Sequence, residues 1–357
     1  MTKVLVGMSG GVDSAVTAYL LKREGFDVVG ATLRTWEGTD GQESRCCEID
    51  DARRSAEIIG IPYHVFNCTP EFERKVTKPF IDDYLRGLTP NPCVICNRLV
   101  KWEQMLYHAS VLSADLVATG HYASVVKLEN GRYTVKAALH SEKDQTYMLY
   151  RLTQEQLSKT LMPLWKYSKQ EVREIAAQAG LSVAAKPDSQ EICFITEGGY
   201  ADYIEKNAGK EIPGPGNFVD TDGRIIGTHN GIIHYTVGQR KGLGISLGYP
   251  AYIKKICADK NEIVVGKGDE LGCRAILCRD VNFMSVPSVG AGEALNCKIK
   301  VRYRHKGQSA VIESAGQDLV KATFDAPVAS AAPGQSAVFY DGEERIIGGG
   351  IISDVIF

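Results

Sequence analysis

A short apolar strand that runs without a linker into a glycine-rich turn and then a helix fixes one corner of this fold. Met1–Val6 supplies the strand, Gly7-Met8-Ser9-Gly10-Gly11-Val12-Asp13-Ser14 the turn, and Ala15–Arg23 an amphipathic helix. The glycine pair lets the backbone approach a ligand closely, and the N–H groups and positive dipole end of a helix beginning near Asp13 favour an anion. Ser9 and Ser14 add hydroxyl donors. The lysine of a GxxxxGK[ST] loop is missing, and so is GxGxxG, so a phosphate group is held by some other arrangement than those two. A glycine-rich turn without a ligand is the bland alternative, and six motif residues in a strand–turn–helix context count against it.

The rest of the first half repeats strand and helix. A strand over 26–33, a polar loop over 35–45, a helix near 48–59 stopped by Gly60, a strand over 63–67, helices within 71–86 and from about 96 to 113, and a strand over 115–119 follow in turn. This alternation predicts a parallel sheet covered by helices. A hairpin over 123–139 turns at Asn130-Gly131, and the helix over 169–179 carries a capping box of Ser168 and Glu171. After about Asn207 the helical pattern stops, and short strand-like runs separated by glycine turns continue to Phe357. The expected fold is therefore α/β, a parallel-sheet domain over 1–207, followed by a small central β domain over 208–275 and a C-terminal β-barrel over 276–357.

The 357 residues leave room for such a division, and Lys plus Arg at 41 against Asp plus Glu at 43 leaves global charge silent about nucleic acid. No apolar run is long enough to span a bilayer, and the N-terminus enters a strand directly, so a cytoplasmic enzyme with no membrane and no DNA partner is expected. Ten cysteines in a chain of this kind point to catalytic or metal-binding thiols rather than to a disulfide framework. Cys68, Cys257, Cys278 and Cys297 read as small core hydrophobes.

Two cysteine-bearing segments stand apart. Pro90-Asn91-Pro92-Cys93-Val94-Ile95-Cys96-Asn97 is a proline-stiffened loop entering a helix, with Cys96 expected near the first turn, where the dipole favours the reactive thiolate. Cys93 and Cys96 also have the spacing of half a zinc site or a redox pair, although the adjacent Cys46-Cys47 and scattered single cysteines do not supply a matching second pair. The other segment is Lys186-Pro187-Asp188-Ser189-Gln190-Glu191-Ile192-Cys193-Phe194.

SGGVDS after an N-terminal strand resembles the pyrophosphate-binding loop of the N-type ATP pyrophosphatases, which split ATP between the α and β phosphates. Taken in order with Pro-Asn-Pro-x-x-x-Cys-Asn, Gly-His-Tyr, Lys-Asp-Gln-x-Tyr, Asp-Ser-Gln-Glu-Ile-Cys-Phe and His-Tyr-Thr-Val-Gly-Gln-Arg-Lys-Gly-Leu, it makes the whole chain similar to the tRNA-specific 2-thiouridylases, which place sulfur at C2 of the wobble uridine. The resemblance implies ATP contacts at Gly7, Met8, Ser9, Gly10, Gly11, Val12, Asp13, Ser14, Leu33 and Gly120. It implies a persulfide on Cys193, with Cys96 as the partner thiol that alternates with it in a transient disulfide. Asn91, Pro92 and Cys93 would lie against the target base, and His121, Lys143, Asp144, Gln145, Arg302, Tyr303 and Gln335 would touch tRNA. A persulfide sulfur-donor protein is the further partner implied. Many family members carry Asp where this chain has Cys93, and Cys93, Cys96 and Cys193 could together ligate a [4Fe-4S] cluster.

The chemistry is consistent with these residue types on its own terms. A uracil C2 carbonyl is a poor electrophile, so its oxygen must first become a leaving group, and adenylation by ATP with Mg²⁺ achieves that. Asp13 has two open roles, holding Mg²⁺ or capping its helix. His64 and His140 read as structural, whereas His229 and His234 stay undecided. In Lys298–Arg304 a strand period puts Lys298, Lys300, Arg302 and Arg304 on one face and Ile299, Val301 and Tyr303 on the other, a face suited to phosphates or simply to solvent. Gln239-Arg240-Lys241-Gly242 adds a second cationic turn. Two other functions stay open: an adenylating pyrophosphatase that makes an amide or amidine from a small substrate, and a non-catalytic RNA-binding protein organised by a metal on Cys93 and Cys96.

Overall fold

The computed structural model describes residues 1–36, 48–187, 192–195, 198–209 and 211–357, apart from the side chains of Ser141 and Asp269. Most of the loop expected over 35–45, the Cys46-Cys47 pair and Asp188–Glu191 lie outside the described residues. The chain divides into two compact units, one of residues 1–76, 93–196 and 343–346, the other of residues 77–92, 197–342 and 347–357.

The first unit is built on β1 (Lys3–Gly7), β2 (Asp27–Arg34), β3 (Tyr63–Asn67), β4 (Leu116–Ala118) and β7 (Thr160–Leu161), all parallel, in the order β3-β2-β1-β4-β7. Val4, Leu5 and Val6 are completely buried, as a central parallel strand covered on both faces requires. Helices α1 (Val12–Arg23) and α2 (Ile49–Ile59) lie between successive strands, and the antiparallel hairpin of β5 (Ala123–Lys127) and β6 (Tyr133–Ala137) follows β4. Helix α3 (Lys169–Gln178) has the expected capping box: Ser168 Oγ accepts the Glu171 amide at 3.2 Å and Glu171 accepts the Ser168 amide at 2.7 Å.

One helix begins earlier than its sequence suggests. Helical structure starts at Pro92, widens to a π-helical stretch over Asn97–Trp102 and continues through Glu103–Val111. The fixed φ of Pro92 suits a first turn. Cys93 rather than Cys96 therefore occupies that turn, and Cys96 lies one turn deeper.

In the second unit, β8 (Gly216–Val219), β9 (Ile225–His229), β10 (Ala251–Cys257) and β11 (Glu262–Lys267) form a mixed sheet in the order β10-β11-β8-β9. The strands β12 (Gly272–Phe283), β13 (Ala294–Lys300), β14 (Gln308–Gly316), β15 (Leu319–Ala329), β16 (Ser336–Tyr340) and β17 (Ile346–Ile356) close a barrel in the order β12-β15-β14-β13-β16-β17. Its interior is filled by Ile276, Cys278, Ile299, Ile312, Ala322, Phe339 and their neighbours, leaving a packed core.

The alternation expected over 298–304 stops at Lys300. Ile299 pairs with Gln308 of the next strand, so the residues between them make the connection. The His305 amide closes a turn on the Arg302 carbonyl at 3.0 Å. Ile299 and Val301 are buried as expected, but Tyr303, expected on their face, is 41% exposed.

Candidate active site

The sheet order reverses between β1 and β4, since the chain grows from β1 through β2 to β3 on one side and resumes at β4 on the other. Ligands of open α/β sheets bind beyond the carboxyl ends of strands at such a switch point. Gly7–Ser14 leaves β1 there and Thr119-Gly120-His121-Tyr122 leaves β4. Gly10 has φ of 79°, and a Cβ on it would come within 2.4 Å of the Glu48 carbonyl, so only glycine fits. Ser14 braces the turn, its hydroxyl accepting the Ser9 amide at 3.1 Å and donating to the Gly11 carbonyl at 3.0 Å. A Cβ on Gly120 would stand 2.8 Å from the Asp13 carbonyl carbon and 2.9 Å from the Ser14 nitrogen, so the exit of β4 lies directly against the first turn of α1. Leu33 is the penultimate residue of the neighbouring strand β2, half-buried.

Of the two roles open to Asp13 in the sequence, the structure excludes the cap. Gly11 caps α1 without a side-chain bond, and both Asp13 carboxylate oxygens face Lys169 Nζ at 2.7 and 2.8 Å, with the Tyr122 hydroxyl donating to Oδ1 at 2.8 Å. A second lysine stands at the other end of the turn: Lys186 Nζ pairs with Glu48 at 2.5 Å and with Asp51, and approaches the Gly10 carbonyl at 3.4 Å. Burial alone would lower the Lys186 pKa, but the bonds and charges of Asp51 and Glu48 outweigh it and hold the ammonium above its ordinary value. Neither lysine is visible as a partner in the sequence, because Lys169 is 156 residues from Asp13 and Lys186 is 176 from Gly10.

Cys93, Cys96 and Cys193 belong to this same unit and are all reduced thiols. Cys96 is only 7% exposed, while Cys93, at the head of the helix, is half-buried. Cys193 sits half-buried in a short turn, closed by the Ile195 amide on the Ile192 carbonyl at 3.1 Å and anchored by the buried ring of Phe194 edge-on to Phe72 at 5.6 Å. Among the described residues no three of His, Cys, Asp and Glu are grouped so as to hold a metal ion. The chain passes from one compact unit to the other between Pro92 and Cys93, so Asn91 and Pro92 fall in the second.

Three family models cover the chain in succession: a tRNA methyl transferase HUP domain over residues 2–197, a tRNA methyl transferase PRC-barrel domain over 201–267 and an aminomethyltransferase beta-barrel domain over 273–352. The tRNA-specific 2-thiouridylase MnmA of Lachnoclostridium phytofermentans is 49% identical over 99% of this chain and 99% of its own length. This chain belongs to the tRNA-specific 2-thiouridylase family. A second relative, MnmA 1 of a Thermoanaerobacter species, is 50% identical over 98% of this chain and 97% of its own, and MnmA of Clostridioides difficile 47% over 98% of both.

The candidate RNA contacts of this thiouridylase-family chain fall in both units. In the first, His121 is half-buried, its Nδ1 2.9 Å from Thr119 Oγ1 and its ring 5.5 Å from that of Trp102. Burial, reinforced by the charge of Lys101, pushes its pKa down to about 3. Gln145 is joined to the neighbouring Tyr122, whose amide donates to Gln145 Oε1 at 3.0 Å, while Asp144 accepts the Thr146 hydroxyl at 2.7 Å. Lys143 is half-buried in the same segment. In the second unit, Arg302 and Tyr303 are exposed in the turn after β13, and Gln335 is half-buried.

Of the remaining histidines, His229 is structural: completely buried, it accepts the Gly231 amide at Nδ1 and lies 3.1 Å from the Asn261 carbonyl through Nε2. His234 is 3.4 Å from Glu205 and His140 3.9 Å from Glu171. His64 is exposed on β3 and its ring stacks 5.9 Å from that of Phe66. No helix among the described residues is long and apolar enough to cross a membrane.

Proposed function

We propose that this chain uses ATP to place sulfur at C2 of the wobble uridine of tRNA, as a cytoplasmic tRNA-uridine 2-sulfurtransferase. The observation that carries the reading is an anion-binding turn at a sheet switch point in the same compact unit as two cysteine segments, in a chain about half identical to 2-thiouridylases along their full length.

The turn Gly7–Ser14, with Leu33 and Gly120 beside it, binds ATP, and Mg²⁺ arrives on its phosphates rather than on a preformed cage of side chains. The uracil C2 oxygen attacks the α-phosphorus and pyrophosphate leaves, so the oxygen departs later as AMP. A donor protein of the persulfide class loads Cys193 with a second sulfur. The terminal sulfur attacks C2, AMP leaves, and the Cys96 thiolate attacks Cys193 Sγ. That last step forms a Cys96–Cys193 disulfide and leaves the thiocarbonyl on the base, and an external thiol reductant restores both cysteines. Asn91, Pro92 and Cys93 receive the base. His121, Lys143, Asp144, Gln145, Arg302, Tyr303 and Gln335 contact the tRNA, with His121 as a neutral imidazole.

The test is nucleoside mass spectrometry of tRNA incubated anaerobically with ATP, Mg²⁺ and a persulfide donor. Wild type is expected to yield 2-thiouridine and AMP together, and Cys193→Ser neither product above background. AMP formation on a small amide or carboxylate, with tRNA unchanged, would overturn the reading in favour of an amide-forming pyrophosphatase.

A further inference from the structure

Lys169 and Tyr122 reach Asp13 from two distant parts of the chain. Lys169 opens α3, its side chain 14% exposed, with Nζ 2.7 and 2.8 Å from the two Asp13 oxygens. Tyr122 is buried, donates its hydroxyl to Oδ1 at 2.8 Å, and has the Lys169 ammonium 5.9 Å from its ring centroid. Its main chain is bound twice to Gln145: the Tyr122 amide donates to Gln145 Oε1 at 3.0 Å, and the Gln145 amide donates to the Tyr122 carbonyl at 3.1 Å.

A carboxylate in the first turn of α1 stands where the helix dipole and amide groups draw the triphosphate. Bare, it would repel that ligand; an ammonium at hydrogen-bond distance cancels its charge. The phenol adds a direction, fixing which way the carboxylate turns. Gly120, two residues before Tyr122, already touches the Asp13 backbone with no room for a methyl group, so a displacement of the 120–122 segment moves the turn.

We propose that Lys169 and Tyr122 are positioning residues for ATP: Lys169 neutralises Asp13, Tyr122 orients it, and the pairing of Tyr122 with Gln145 makes ATP and tRNA favour each other's binding. This rests on the proposed function, in which the segment Lys143–Gln145 meets tRNA.

The test is equilibrium binding of a non-hydrolysable ATP analogue with and without tRNA, and of tRNA with and without the analogue. Wild type is compared with Tyr122→Phe, Lys169→Met and Lys169→Arg. In the wild type each ligand tightens the other by one and the same factor, as linkage demands. Tyr122→Phe brings that factor to one while tRNA alone binds as before. Lys169→Met weakens the analogue by about tenfold or more, with or without tRNA, and Lys169→Arg recovers most of the loss. Misfolding reads differently, because it would also weaken tRNA alone. A wild-type factor of one, an unchanged factor in Tyr122→Phe, or wild-type analogue affinity in Lys169→Met overturns the proposal. A wild type that binds the analogue but no tRNA overturns the proposed function, and this inference with it.

Discussion

Gln335 donates its side-chain amide to the Thr89 carbonyl at 2.9 Å, and the Thr89 amide bonds the Pro333 carbonyl at 2.8 Å. Thr89 immediately precedes Pro90-Asn91-Pro92, so a barrel turn holds the root of the segment proposed to receive the base. The polar nitrogen of a residue expected to touch tRNA is thus bonded to the protein itself.

That bond separates two effects of Gln335→Ala. Loss of a tether leaves the base-binding segment loosely placed, so kcat for thiolation falls about fivefold, the worth of one hydrogen bond, while the tRNA Kd changes little. Single-turnover thiolation and filter binding measure the two separately. A raised Kd with kcat intact would make Gln335 a direct RNA contact instead.

Gly120→Ala is expected to damage ATP binding before anything else. The added methyl group would meet main-chain atoms of Asp13 and Ser14 at 2.8 to 3.0 Å, and backbone cannot rotate away as a side chain would. Overpacking of this kind costs about 1–3 kcal/mol. Isothermal titration with ATP should show a loss of affinity of about fivefold to a hundredfold; retention of wild-type affinity would mean that the contact relaxes freely.

The sequence was legible where local rules govern. The β1–turn–α1 succession, the Ser168 capping box and the strand over 63–67 depend on neighbours a few residues apart, and they formed as expected, although α1 is buried on most sides rather than along one amphipathic stripe. Misplacements arose where a distant partner decides. Tyr303 turned outward because Ile299 pairs with Gln308, which converts the following residues into a connection. Cys96 lies one turn deep because Pro92 starts the helix expected from about 96. Lys169 and Lys186 were invisible as partners of the glycine turn because nothing local marks a lysine that folding brings back across more than 150 residues.

Thiol reactivity should divide the cysteines by burial. Burial pushes Cys273 up to about 11 and Cys297 up to about 12, and raises Cys278 further still, so barrel thiols stay protonated at neutral pH. Cys68 is completely buried as expected, whereas Cys257 is half-buried. Among the described cysteines, brief alkylation at pH 7.5 followed by peptide mass mapping should label Cys93 and Cys193 ahead of Cys273, Cys278 and Cys297. Prompt labelling of Cys278 would show that the barrel opens.

Arg302 and Arg304 project from the exposed turn after β13, where no barrel strand needs them. If they neutralise tRNA phosphates, Arg302→Ala with Arg304→Ala reduces the slope of log K against log salt by about 1.4 to 1.8, since each phosphate contact contributes about 0.7–0.9. ATP affinity should stay at the wild-type value. An unchanged slope would return this turn to the role of a solvated loop.

The histidines set an acid limit whose sign follows from burial. His121 has a pKa of about 3 in the folded state against an ordinary 6.5, and burial lowers His108, His229 and His305 in the same direction. Between those values the unfolded chain binds protons that the folded chain refuses. Stability therefore rises with pH through this window; the contribution is complete above about 6.5 and is lost as pH falls toward 3. Urea unfolding followed from pH 7.5 to 5 should show falling stability, and His121→Asn should flatten the dependence by up to about one proton. The same neutral imidazole means that acidification to pH 5.5 should not strengthen tRNA binding through His121. An affinity gain on acidification that disappears in His121→Asn would show the imidazole to be charged on RNA.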